Sequence, residues 1–480
     1  MKVLFLNPPF LPKFSREQRS PAVTKSGTIY YPMWLSYAAG AALDAGHDVS
    51  LIDAAAGARW PLEHIVAAAE GCGLAVLAAS TPSIDNDAGV AKTLKEAHPG
   101  LRVVLVGPHV SALAEPTLRE YPWLDGVLRG EYERTVLELC EALAGGGEPA
   151  GVAGVTWRRD GDVASAPPRE VEDPDHWPFV SATYARFLDV PDYFYAHSLY
   201  PIVTILSARG CPNYCIYCVY PQTFSGHAYR PRAAASVVEE LRYIKETWPE
   251  VREVMFEDDT FSIDHARTRK LCEAVAAADL GLKWSANARC DLDLETLRLM
   301  KRAGCRLLCV GVESGSDAML DGMKKRMGRE RIERFFADAA RAGVMLHGCF
   351  MVGNPGETRE TMEETLAFAK KLRPDTAQFF PVMAYPGTAL YRWAEKNGYL
   401  NARSFADWLT PEGEHNCVID RPELPAEELV AFCDRARREF YLSWPYLTRK
   451  LWQVLTRPGE FKRTWRSGRR FFRHLLRGTR

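Results

Sequence analysis

The stretch Ala208-Arg-Gly-Cys-Pro-Asn-Tyr-Cys-Ile-Tyr-Cys218 places Cys211, Cys215 and Cys218 in a Cys-x3-Cys-x2-Cys spacing directly after an apolar, strand-like run. A closed zinc site takes four protein ligands, usually as two separated pairs. Three cysteines on one short loop instead hold a cubane iron–sulfur cluster and leave one iron without a protein ligand. That iron is a docking point for a reagent. Gly210 and Pro212 supply the turn, and Tyr217 puts a flat face beside the last ligand. The competing reading, a zinc knuckle or buried thiols, would need a Cys-x2-Cys or His-x3-His partner pair, and the sequence has none elsewhere.

Elements able to position such a loop lie on both sides of it. From Pro201 to about Tyr385, apolar runs alternate with helical ones. The strands expected are Ile202–Ser207, Val254–Glu257, Trp284–Ala286, Leu307–Val310, Met345–Met351 and Ala377–Phe380. Helices fall between them at Ala234–Thr247, His265–Ala277, Leu294–Ala303, Arg331–Ala342 and Thr358–Leu372. Six such units suggest a partial (β/α)6 barrel with its chemistry at the carboxyl-terminal mouth. Before it, Lys2 to about Ala144 gives strands at Val3–Leu6, Val49–Ile52, Leu74–Ala79, Val103–Val106 and Val127–Leu128, with helices such as Trp34–Ala45, Asp85–Ala97 and Glu131–Leu143. Continuous apolar strands separated by helices imply a doubly wound parallel sheet, whose ligands lie past the carboxyl ends of the strands. Those ends carry Asn7-Pro8-Pro9, Asp53, Ser80-Thr81-Pro82-Ser83, Gly107-Pro108-His109 and Arg129-Gly130-Glu131.

The cysteine spacing, with an aromatic residue just before the third cysteine, resembles the radical S-adenosylmethionine (SAM) enzymes. The resemblance implies a [4Fe-4S] cluster on Cys211, Cys215 and Cys218 whose open iron chelates the amino and carboxylate groups of SAM. Reductive cleavage then yields a 5′-deoxyadenosyl radical that abstracts hydrogen from a substrate. It also implies SAM contacts at successive strand ends. Asp258 and Asp259 stand where the family holds the methionine amino group, Asn287 and Arg289 where it pairs the carboxylate, and Glu313 and Ser314 at the ribose turn. Gly353 falls at the adenine-flanking turn and Tyr217 beside the cluster. The first domain is similar to the cobalamin-binding-like domain that precedes the barrel in one large class of these enzymes. On that resemblance Thr81, Ser83, Gly107, His109, Gly130 and Glu131 are the candidate cobalamin contacts. Two departures leave the point open between cobalamin binding and a domain that only packs on the barrel: no Asp-x-His-x-x-Gly loop offers an axial histidine, and Tyr132 replaces a glycine. Cys218-Val-Tyr-Pro-Gln-Thr223, Gly226-His-x-Tyr-Arg230, Ser285-x-Asn-Ala-Arg289 and Gly353-x-Pro-Gly-Glu-Thr358 narrow the resemblance to the branch of hopanoid-biosynthesis radical SAM proteins and the anaerobic Mg-protoporphyrin cyclase, over roughly residues 1 to 400. His227 and Tyr229, just past the cluster loop, read better as pins for it than as proton or electron carriers.

The division expected is 1–150 for the Rossmann-like domain, 151–200 for a hairpin and aromatic-rich linker, 201–385 for the barrel and 386–480 for a helical C-terminal region. Twelve cysteines in 480 residues are no disulfide scaffold, no run of apolar residues is long enough to span a bilayer, and no leader pattern opens the chain, so a reducing cytoplasm is expected. The formal net charge of −1 hides an asymmetry. Between Arg437 and Arg480 thirteen Lys or Arg stand against two acids, interleaved with Trp444, Trp452, Phe461, Trp465 and Phe471. Such a tail suits the inner face of an anionic membrane better than a plain packing or flexible role, and that better than RNA. The sequence thus reads as a radical SAM enzyme fed by a flavodoxin- or ferredoxin-type reductant, acting on a lipid or isoprenoid for rearrangement or carbon–carbon bond formation. Cobalamin-dependent methylation is the alternative, and a non-catalytic iron–sulfur protein anchored to membrane or RNA the rival class.

Overall fold

Strand Ile202–Ile205 leads a sheet of six parallel strands in chain order, followed by Glu253–Phe256, Lys283–Ala288, Cys305–Glu313, Met345–Val352 and Thr376–Pro381. This computed structural model describes residues 1–56, 60–159 and 161–456. The basic tail past Thr456, residues 57–59 and Asp160 lie outside the described residues. The helices between the barrel strands start where short polar side chains accept the first free N–H groups. Asp264 takes Arg267 N at 3.0 Å, Asp293 takes Thr296 N at 2.8 Å, and Thr358 forms a capping box with Thr361. Helix Ala234–Thr247 falls on the predicted bounds.

The first sheet is parallel in the order Asp48–Asp53, Lys2–Asn7, Leu74–Ala78, Arg102–Val106, Gly126–Leu128. The predicted hairpin forms as Val155–Arg159 and Asp162–Ser165, but it is no free-standing piece: it extends that sheet antiparallel from Gly126–Leu128. Gly126 lets it do so, because a Cβ there would meet the Trp157 ring and Thr156 O. The following linker cements the two sheets. Tyr31 stacks between Tyr184 and Tyr193 with centroids 4.5 and 3.8 Å away, Tyr193 donates to Asp53 at 2.8 Å, and Tyr31 donates to Ile202 O at 2.8 Å. Helices Ala426–Tyr441 and Trp444–Thr456 then close the barrel side, the former against Thr376–Pro381.

A buried cation rivets the two sheets a second time. Arg209 lies between Glu131 (3.0 Å) and Glu133 (2.7 Å), with its guanidinium 4.8 and 4.5 Å over the Trp34 and Tyr37 rings. Burial pushes the Glu133 carboxyl up, and Arg209 pulls it back.

Candidate active site

The cluster loop is held by its own backbone. Gly210 has φ +77°, and a Cβ there would run into Ala228 O, so only glycine lets the strand pass its neighbour before Cys211. Gln222 places Nε2 2.8 to 3.3 Å from the carbonyls of Cys215, Ile216 and Cys218, drawing the loop around one amide. His227 Nδ1 sits 3.0 Å from Cys211 O and its ring stacks on Tyr214 at 4.0 Å, which is the pinning role expected of it. Tyr229 brings a buried hydroxyl with no partner among the described residues. Asn213 donates to Cys211 Sγ at 3.3 Å. Burial raises the Cys218 thiol to about 12, with Arg19 working the other way. An iron at these sulfurs would supply the positive charge that burial withholds. Among the described residues no three His, Cys, Asp or Glu converge on one point as a single metal ion requires. Three thiolates on a loop serve a cubane, whose separate irons spread them more widely, so this set fits the cluster better than a lone ion.

A cavity of about 570 Å³ opens beside the loop. Glu257, Asp259 and Asn287 line it at the barrel mouth, and Cys309, His347 and Cys349 line the lumen below. The SAM candidates divide accordingly. Asn287 donates to Glu257 at 2.9 Å, and both face the cavity. Asp259 also faces it, accepting from Arg19 at 3.0 Å and Ser225 at 2.7 Å. Asp258 does not face it. Its carboxylate accepts the Ser207 N–H and hydroxyl, each at 2.6 Å, and burial pushes it up, so it ties the second strand end to the first and the adjoining Glu257 takes the open position. Arg289 donates to Lys325 O at 2.6 Å and lies 3.4 Å from Asp291, away from the cavity. Lys325 itself pairs with Glu313 at 2.7 Å and reaches Tyr217 Oη at 3.5 Å. Glu313 adopts φ +69°, and Lys324 and Arg326 are left-handed too, so strained backbone gathers at this corner. Ser314 is turned inward to Thr365 (3.1 Å). Gly353 makes room for a helix: a Cβ would meet Leu429 at 2.8 Å. Beside it Asn354 is fully buried, and neither amide atom of its side chain has a hydrogen-bond partner among the described residues.

Two contributors were not found in the sequence. Arg19 and Glu17 belong to the first domain, yet its loop between Asn7 and Met33 enters the barrel and lines the cavity. Burial opposes the Arg19 charge, but Asp259, Cys218 and Glu257 more than compensate and hold it protonated. Glu17 caps helix Met33–Asp44 through Trp34 N (2.8 Å) and Leu35 N (3.3 Å), and burial lifts it to about 8. The signal was loop length: such βα connections usually take about 2–6 residues, and this one is several times longer.

The candidate cobalamin positions meet protein. Thr81 and His109 hold each other at 3.1 Å, and Phe405 lies edge-on to the His109 ring at 4.8 Å. Burial lowers His109 to about 3, leaving it neutral. Ser83 donates to Asp87 at 2.6 Å, and Asp87 is paired with Arg16 at 2.7 Å, both buried. Gly107 backs onto Ala79 O and Gly130 onto Phe224 O, while Glu131 is bound by Arg209 and Arg230.

Set beside known proteins, the barrel and first domain each find a match: residues 205–369 fit the radical SAM superfamily and residues 19–140 the B12 binding domain. An uncharacterized methyltransferase of Pyrococcus horikoshii is 31% identical over 368 residues, 76% of this chain and 78% of its own length. The anaerobic magnesium-protoporphyrin IX monomethyl ester cyclase of Rubrivivax gelatinosus is 28% identical across 82% of this chain and 70% of its own. The solved radical SAM methyltransferase TsrM from Kitasatospora setae shares the fold at a TM-score of 0.69 and 19% identity, over 91% of this chain and 88% of that one. The chain belongs to the radical SAM superfamily, in the group whose barrel follows a B12 binding domain. It is an enzyme, and its architecture calls for a [4Fe-4S] cluster and SAM, with cobalamin as the cofactor type of its first domain.

The first two fit the residues as arranged. In the first domain the Arg16–Asp87 pair, which Ser83 joins, and Phe405, edge-on to His109, pack against the residues that would hold the corrinoid, so Phe405 caps that end. Phe405→Ala is therefore expected to raise retention of hydroxocobalamin about two- to tenfold, the value of one aromatic contact. Visible absorbance after gel filtration reads it, and unchanged retention would show that Phe405 is not the cap.

Proposed function

We propose that the protein is a radical SAM methyltransferase, of the kind that joins the barrel to a B12 domain, acting on an amphiphile with an apolar body. The observation that carries this is the cavity: acidic and amide groups stand at its cluster end, and Leu206, Met255, Phe380 and Met383 line the space beyond. Support for methyl transfer comes from the Pyrococcus horikoshii relative, named a methyltransferase. The cluster supplies the electron that breaks the SAM sulfur–carbon bond. On this reading Glu257, Asp259 and Asn287 orient the methionine end, Arg19 balances their charge, and the apolar wall excludes water from the radical. The thiols of Cys309 and Cys349 are pushed up by burial, so both stay neutral beside it.

The test follows products. Protein reconstituted without oxygen is given SAM, a flavodoxin- or ferredoxin-type reductant, hydroxocobalamin and a bacterial lipid extract. S-adenosylhomocysteine and 5′-deoxyadenosine formed together support methyl transfer. 5′-Deoxyadenosine alone would overturn it in favour of rearrangement or carbon–carbon bond formation.

A further inference from the structure

Helix Trp444–Thr456 is amphipathic in the inverted sense. Its inward side is polar or aromatic: Gln453, 6% exposed, donates to Asp375, Arg449 donates to the carbonyls of Arg373 and Pro374, and Tyr446 packs edge-on against Tyr441 at 4.9 Å. Its outward side is apolar. Trp444 is 77% exposed, Leu451 61%, Trp452 61% and Leu455 74%, and helical spacing sets the four along one side. Scattered apolar residues on a surface need no explanation, but two tryptophans and two leucines on one helix do.

We infer that this face docks on an anionic lipid surface and brings the cavity to it. The sequence that follows, 457–480, holds nine Lys or Arg and one acid, so strong positive charge comes directly after this helix in the chain. Tryptophan with a wet edge and a buried ring suits the headgroup boundary, and basic side chains suit its charge. A second copy of the chain would bring the same positive charge to the contact and be repelled. RNA would leave the leucines without a partner, since bases stack on rings. No helix among the described residues is long and apolar enough to cross a membrane, so the contact lies in the interface plane.

The consequence for substrate rests on the proposed methyltransferase reading. Tyr446, Leu447 and Lys450 of this helix line the cavity, as do Lys25 and Arg437. A docked helix therefore sets the cavity mouth at the depth of lipid headgroups. The substrate is a membrane-resident amphiphile, with its polar group at this charged end, where Lys25 pairs with Glu414 at 3.3 Å and Arg437 with Asp434, and its apolar body in the lumen.

The experiment is flotation of the full chain with vesicles of phosphatidylcholine, alone or with phosphatidylglycerol. It needs no cluster, SAM or corrinoid, so its outcome is separate from that of the product assay. Wild type is expected to float with the anionic vesicles at least tenfold more than with neutral ones. The variant W444S/L451S/W452S/L455S should lose tenfold or more of that while keeping the wild-type circular dichroism and melting temperature. Flotation of the double variant W444S/L455S, expected to fall between wild type and the quadruple variant, gives a second reading should the quadruple variant misfold. Equal flotation of wild type with both vesicles, or full flotation of the quadruple variant, overturns the inference. So does a dimer that the variant breaks, or retention on RNA without retention on vesicles.

Discussion

Cys215→Ala is expected to yield folded protein that holds no [4Fe-4S] cluster and forms no 5′-deoxyadenosine above background. Cys215 is 8% exposed, its Sγ faces Lys324 O at 3.9 Å, and its carbonyl is held by Gln222, so the loop backbone keeps its course without the sulfur. Loss of a partner behind a metal ligand costs about 10–100-fold. Loss of one of three ligands exceeds that, and the activity should fall by more than about a hundredfold. Iron content and visible absorbance under argon check it, with Cys72→Ala in the first domain as the control that keeps both. A variant with full iron and wild-type turnover would remove Cys215 from the cluster.

Arg16→Met carries the largest expected loss of stability. Arg16 and Asp87 are 3% and 0% exposed, and the guanidinium also donates to Pro8 O at 2.9 Å and to Asn7. Methionine fills the volume but abandons a buried carboxylate, at a cost of about 3–5 kcal/mol. The melting temperature should drop by about 6 °C or more. The sign with pH is fixed as well. Burial already raises Asp87, and Arg16 is the main force lowering it, so in the variant the folded state binds a proton that the unfolded state releases. Its stability deficit must grow as pH rises above the ordinary carboxylate range and shrink below it. Thermal melts at pH 5 and pH 8 with equal deficits would show that Asp87 has found another partner.

The strands of both sheets were legible because parallel strands covered on both faces are continuous apolar runs, and the cluster loop because its spacing is local. What the sequence hid was parity and distance. Which of Glu257, Asp258 and Asp259 faces the cavity depends on the pleat at one strand end, and the chemistry of the three is alike. Gly353 signalled a close approach correctly, but Leu429 makes it, from a helix much later in the chain. His109 and Glu131 had the right neighbours for a cofactor turn, while their partners, Phe405, Arg209 and Arg230, come from other domains. The mix of aromatic and basic residues after Arg437 shows in the sequence; that the polar side of helix Trp444–Thr456 faces inward follows only from where Asp375 and the carbonyl ends of Arg373 and Pro374 lie.

The Asn7–Met33 loop makes the barrel a shared possession. Excised from the chain, residues 201–456 would keep the cysteines yet lose the guanidinium of Arg19 that neutralises Asp259. A graft that exchanges the leading domain for a relative's must therefore transplant this finger as well, because the boundary between modules runs through the reaction chamber and not around it.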